Sequence, residues 1–223
     1  MKPSIPLKSV RWLETLSGFE DLVSGCDRPV VLGEGRRELP AGEAEKIRDF
    51  ARRLALRFPS IILRTGNAPG TDDAFASGFS SVDPARVEYI LPTASHRRGY
   101  RDKRGRSVSL SEVGEGGRGL LARATVAASP GLERVIGPRD SIPRLGAKAN
   151  YLLRDTLKVA GMAELPGQPP LLPPVAALFW ADPSDPMTGG TGHTIRVCLD
   201  HGIPTALQSH WLTWPVSPGS EKS

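Results

Sequence analysis

Cysteine is nearly absent: Cys26 and Cys198 are the only two in 223 residues. Two thiols cannot build a disulfide framework, and their separation offers no metal-ligand spacing. Both read as small buried residues, and no metal is expected. Long apolar runs are lacking as well. No stretch approaches the ~18–20 residues of a membrane span. The opening Met1–Lys8 carries neither an apolar core of signal-peptide length nor a small-residue cleavage pattern. The expectation is a cytoplasmic protein with no membrane partner.

Turn-forming residues are abundant instead. Gly 24 and Pro 21 make up about a fifth of the chain, against a usual level of about 12%, which implies many turns and some irregular segments. With 39% hydrophobic and 24% charged residues and a mean hydropathy of −0.23, the chain is globular. A chain of this length buries roughly 70% of its unfolded surface in one well-cored domain. The net charge of +5 favours anionic partners without identifying them. Much of it is local: residues 96–106 hold six Lys/Arg and one acid.

The apolar pattern gives an order of elements. Residues 8–24 show helical spacing, 28–33 a buried first strand, and 42–58 a helix with acids early and arginines late, as a helix dipole favours. Strands follow at 61–66 and 87–92, with a helix from about 72 to 79 between them. After the basic stretch come helices near 109–128 and 143–160, then a connector with five prolines over 164–174. Residues 175–180 form the strongest strand signal, 189–201 a helix, and 203–207 a last strand. This alternation predicts an α/β, Rossmann-like, doubly wound and mostly parallel sheet with helices on both faces. It divides as a helical extension over 1–27, the α/β domain over 28–208, and a tail over 209–223. Trp12 and Trp180 read as packing residues; Trp211 and Trp214 are left open between packing and exposure.

In such a sheet, ligands bind beyond the carboxyl ends of the strands. Three glycine-bearing loops stand there: Gly33 and Gly35 after the first strand, Gly66-Asn67-Ala68-Pro69-Gly70-Thr71-Asp72 after the second, and Thr188-Gly189-Gly190-Thr191-Gly192-His193-Thr194 before the last long helix. A helix start offers unpaired amides and about half a positive charge, and glycines let a phosphate approach that backbone. The last turn is neither a P-loop nor a dinucleotide fingerprint. Its threonines add hydroxyl donors, and His193 is a candidate for anion contact or proton transfer. Asp72 caps its helix, orients the loop or contacts a sugar hydroxyl, and Arg154 is a candidate phosphate ligand. In the basic stretch, Arg97, Arg98, Tyr100, Arg101, Lys103 and Arg104 read as a solvated loop, a lid, or contacts to a single nucleic-acid strand.

The segment Leu63–Asp72 resembles the strand and Gly-Gly-Ala-x-Gly-x-Asp turn of the SLOG superfamily. That group includes the Smf/DprA DNA-processing proteins and the LOG phosphoribohydrolases. Residues 177–207, with Gly-Gly-Thr-Gly-His-Thr-Ile-Arg and Gly-Ile-Pro, resemble its second glycine turn, helix and closing strand. Tyr151–Gly161 is similar to a segment carrying an Arg-Asn pair in the Smf/DprA-like proteins. The matches occur in family order over about residues 28–208. The resemblance implies a Rossmann-like fold that binds nucleotides, their derivatives or nucleic acid, and dimers are common among such relatives.

This sequence departs from the pattern at Asn67, where a glycine is usual, and at Asp155, where asparagine or another polar residue is. Arg196 stands where the LOG hydrolases carry glutamate. A guanidinium cannot act as a carboxylate base, so a hydrolase would need Asp72, Asp182 or Asp185 to replace it. Three readings follow: a nucleotide-binding module with no certain cofactor, a single-strand nucleic-acid binder, and an N-glycosidic hydrolase.

Overall fold

Six strands form one all-parallel sheet in the computed structural model, which describes residues 12–217. They are β1 (Val30–Gly35), β2 (Ile62–Thr65), β3 (Val87–Leu91), β4 (Arg106–Ser109), β5 (Ala176–Trp180) and β6 (Thr205–Leu207), in the order β4-β3-β2-β1-β5-β6. Apart from Gly35, half-buried at the end of β1, every residue of the four central strands is buried, as aliphatic runs covered on both faces require. Side chains alternate across the sheet. Val31, Leu63 and Leu178 join one core with α1 (Leu16–Ser24), α2 (Glu43–Arg57), α3 (Thr71–Ser80) and α8 (Gln208–Trp211). Leu32, Ile90 and Phe179 face α4 (Glu115–Ala128), α5 (Glu133–Ile136), α6 (Pro143–Ala160) and α7 (Gly189–Asp200). The expected Rossmann-like, doubly wound architecture is therefore present. Among the described residues, no helix is long and apolar enough to cross a membrane.

Several expectations need correction. The first helix starts at Leu16, where the Thr15 hydroxyl accepts from the Gly18 amide and caps it; residues 1–11 lie outside the described residues. Cys26 is exposed, while Cys198 is buried in α7 with its thiol pKa pushed up by burial. Strand β4 leaves no apolar signature in the sequence, because Arg-Ser-Val-Ser is a polar edge strand that buries only its last two residues. Trp211 and Trp214 are buried against Phe50 and Phe19, with ring centroids 4.8 and 5.3 Å apart. Val216 is also buried, so the start of the expected tail belongs to the core. Residues 218–223 are outside the described residues.

A charge ladder holds the second layer in place. Arg64, Glu88 and Arg106 stand opposite one another on β2, β3 and β4. The Arg64 guanidinium donates to Glu88 at 2.7 and 3.0 Å, and to the carbonyls of Lys158 and Leu172 at 2.9 and 2.7 Å. Arg106 donates to Glu88 and to the carbonyls of Pro169 and Pro170. Burial lowers the Arg64 pKa, and the Glu88 carboxylate opposes that fall. The ladder clamps the proline-rich connector and the end of α6 onto the sheet. It thereby fixes the helix that carries Arg154, Asp155 and Lys158.

Candidate functional site

The strand order reverses between β1 and β5, and in doubly wound sheets ligands occupy the crevice at that reversal. A cleft of about 400 Å³ opens there, within the size range of small-molecule sites. Its walls are residues 34–38 after β1, Ala68 and Asp72 of the first glycine turn, Arg154 and Asp155 of α6, and Asp182 with residues 188–191 before α7. Four separate stretches of chain meet at one place.

The second glycine turn faces this cleft with its backbone bare. Thr188 occupies the N-cap position of α7 but makes no side-chain cap bond; its hydroxyl donates to the Asp185 carbonyl instead. Among the described residues, the amides of Gly189, Gly190 and Thr191 have no hydrogen-bond acceptor, and the first amide bonded back is that of Gly192, to Thr188 O at 2.9 Å. Gly189 has φ +63°, a left-handed value that favours glycine. At Gly192 a Cβ would stand 2.0 Å from the Met187 carbonyl carbon, so that glycine permits the loop to pass close to α7. Arg196 holds the same loop: it donates to Met187 O at 2.6 Å and to the Ser129 hydroxyl at 2.8 Å.

The first glycine turn is filled from within. Oδ2 of the buried Asp72 accepts from the amides of Gly66 at 3.0 Å and Ala68 at 3.2 Å. Thr71 donates through its amide and its hydroxyl to Arg36 O. Asn67, at φ 55°, donates from its side chain to the carbonyls of His96 and Arg97.

The floor of the cleft is a charge cluster. Lys158 ion-pairs with Glu34 and, at 2.9 Å, with Asp155. The Arg154 Nε lies 3.2 Å from Asp155 Oδ1, at an angle too poor for a hydrogen bond, and its Nη1 has no partner. Glu34 Oε1 accepts from the Thr194 hydroxyl at 3.0 Å. Burial pushes the Glu34 carboxyl up to about 7; Asp155 and Asp72 add to the rise, while Lys158 and Arg154 oppose it. Burial would raise Asp155 too, but Arg154 and Lys158 outweigh it and hold that group below its ordinary value. At the rim, Arg36 pairs with Asp182 at 3.3 Å, and Arg37 lies over the Tyr151 ring at 5.5 Å.

The sequence-predicted residues separate on this framework. Gly35, Ala68, Asp72, Arg154, Thr188, Gly189, Gly190 and Thr191 come together at the cleft. Gly33 packs against Phe75 and Leu63, and Gly70 against the carbonyls of Arg36 and Arg37. Gly66 lies beneath Arg154, whose Nη1 would be 1.5 Å from a Cβ there. His193 points away from the cleft: its Nδ1 bonds Ser129 Oγ at 2.9 Å and its Nε2 bonds Thr156 Oγ1 at 3.2 Å. Burial lowers its pKa to about 4, with Asp155 opposing and Arg196 adding to the fall, so the ring is neutral.

The basic stretch is largely committed to the protein itself. Arg97 forms a two-bonded pair with Asp73 at 2.7 and 2.8 Å, Arg101 donates to Ser107 and Ala94 O, and Arg104 pairs with Asp102. Arg98 and Lys103 make no ion pair among the described residues, and Tyr100 is 69% exposed under the Arg97 guanidinium. Glu34, Arg36, Arg37, Glu38 and Lys158 escaped the sequence reading. The available signal was a charge inside an apolar run, as in Val-Val-Leu-Gly-Glu-Gly.

Compared with known proteins, the chain matches no family model and no curated sequence.

Proposed function

We propose that the protein binds a nucleotide, or a nucleotide-derived phosphate compound, in the cleft between the ends of β1 and β5. The observation that carries this reading is the row of unsatisfied amides at Gly189, Gly190 and Thr191, open to the cleft beside the buried Arg154. Amides at the start of a twelve-residue helix attract anions through their N–H groups and the helix dipole. The likeness of both glycine turns to SLOG proteins supports the same ligand class. A small ligand is preferred to a nucleic-acid strand because Arg97 and Arg104 already neutralise their charge on Asp73 and Asp102. A cleft of this size also suits one nucleotide better than a strand.

Thermal-shift screening against nucleoside phosphates, nicotinamide dinucleotide and ADP-ribose tests the proposal. Saturation at about a hundred times Kd stabilises by roughly 2.7 kcal/mol, which raises Tm by about 5–10 °C for a chain of this size. Gly190→Val projects a side chain into the cleft and should abolish the shift. At Gly190 a Cβ meets only Asp155 Oδ2, at 3.7 Å, so the fold should tolerate the change. Absence of any shift at millimolar ligand would contradict the proposal.

A further inference from the structure

The sheet has two edges, and the chain treats them differently. At β6 the residues before α1 lie alongside: Trp12 bridges Thr205 in parallel, and the Leu13 amide donates to Thr205 O at 2.9 Å. At β4 no strand lies on the outer side among the described residues. An edge in that state presents backbone donors and acceptors to any extended segment that reaches it. The last amide of β4, that of Ser109, is spent on the Glu112 carboxylate at 3.0 Å.

The basic stretch lies beside this edge. A groove of about 570 Å³ is lined by Gly105 and Ser107 on the strand side and by Arg98, Arg101 and Lys103 on the other. Its one acid, Asp102, is already bonded to Arg104 at 3.0 and 3.1 Å. Arg98 and Lys103 are exposed and make no ion pair among the described residues. Arg101 is fixed against the strand, donating to the Ser107 hydroxyl and to Ala94 O, each at 3.0 Å. Burial lowers its pKa and the charge of Arg98 lowers it further, so positive charge is in excess here.

That charge decides what can pair with the edge. A second copy of β4 would bring the same cations against these and is repelled. A nucleic-acid strand matches the charge, but its phosphate backbone carries acceptors without donors and cannot complete a β-ladder. An extended peptide supplies both, and carboxylates on it would meet Arg98, Arg101 and Lys103. We propose that the outer edge of β4 docks an extended acidic segment of a protein partner, which adds a strand to the sheet while its carboxylates lie on the basic groove. In such docking, main-chain hydrogen bonds give affinity and side-chain contacts give specificity. The site does not rest on the nucleotide reading, since β4 stands three strands from β1.

Fluorescence anisotropy of the full chain with a labelled peptide of alternating glutamate and valine, about six residues long, tests this. Three probes of the same length are compared with it: the peptide with lysine in place of glutamate, the acidic peptide N-methylated throughout, and a thymidine oligonucleotide. The acidic peptide should bind at least about tenfold more tightly than each of these, and should protect the β4 amides from hydrogen exchange. Replacing the two exposed cations together, Arg98→Glu with Lys103→Glu, should weaken it by a similar factor and leave the fold intact. Equal affinity of the N-methylated peptide would mean that charge alone holds the ligand, and would overturn the proposal. Equal affinity of the lysine peptide would remove the role of the groove and overturn it too. Tighter binding of the oligonucleotide would assign the surface to nucleic acid instead. No binding of the acidic peptide at about 1 mM, on the order of the weakest useful affinities, would also overturn it.

Discussion

The two glycine turns of this protein look alike in sequence and are opposite in state. Both carry the chain from the end of a buried strand toward the start of a helix, and both place backbone amides beside the same cleft. In the first, the Asp72 carboxylate already occupies the amides of Gly66 and Ala68, acting as an internal anion. In the second, Thr188 turns its hydroxyl back to Asp185 O and the amides of 189–191 stay bare. The lesson is that glycine makes close approach possible but does not say what approaches. A carboxylate six residues along the chain from Gly66 closes the first turn; none of the described residues does so for the second.

The contrast can be broken at the backbone. A Cβ on Gly70 would stand 2.3 Å from Arg37 O, at a φ of +78°, whereas one on Gly190 meets nothing closer than 3.7 Å. Gly70→Ala should therefore destabilise by about 4 kcal/mol, from left-handed strain and a fixed carbonyl. Gly190→Ala should cost under about 0.5 kcal/mol. Urea denaturation of the pair checks both, and equal losses would show that the turns are alike after all.

Titration sharpens it next, because two ionisable groups tie the start of α7 to the core. Glu34, which receives Thr194, is raised from 4.5 to about 7. The folded state therefore holds its proton more tightly, and Glu34 stabilises below pH 4.5 and loses that contribution as pH rises through 7. His193 is lowered from 6.5 to about 4, so it stabilises above pH 6.5 and loses that contribution as pH falls through 4. Each displacement is worth about 3 kcal/mol, with opposite slopes that largely cancel between pH 4.5 and 6.5. Glu34→Gln should leave stability falling by about 3 kcal/mol on acidification from pH 7 to 4. His193→Asn should leave it falling by a similar amount on the opposite sweep. Denaturant midpoints across that range measure both slopes; parallel profiles in the two variants would refute the assignment.

A smaller effect would convert one turn into the other. Asp72→Ala removes the internal anion and should cost about 2 kcal/mol, typical of bonds to a charged group. It also frees the Gly66 and Ala68 amides. In that variant inorganic phosphate should perturb both turns, as seen in amide chemical shifts.

How far the sequence discloses this follows the physics of each element. Aliphatic runs such as Val30–Leu32 and Ala176–Trp180 are legible because burial on both faces demands them, and α2 and α6 because their apolar stripes recur at helical spacing. Strand β4 is hidden because an edge strand can be polar. The positions of the glycine turns are legible from local chain chemistry, but their occupancy is not. Glu34 and Lys158 are 124 residues apart, and only the packing of α6 on β1 makes them a pair. His193 reads as a site residue from its place beside the glycines, yet the rotation of α7 turns its ring toward Ser129 and Thr156.

The most direct measurement is a phosphate titration followed by amide nitrogen–proton correlation spectra of the unaltered protein. Saturable shifts are expected at Gly189, Gly190 and Thr191, with Gly66 and Ala68 unmoved. Shifts confined to Gly66 and Ala68, or none at the start of α7, would contradict it.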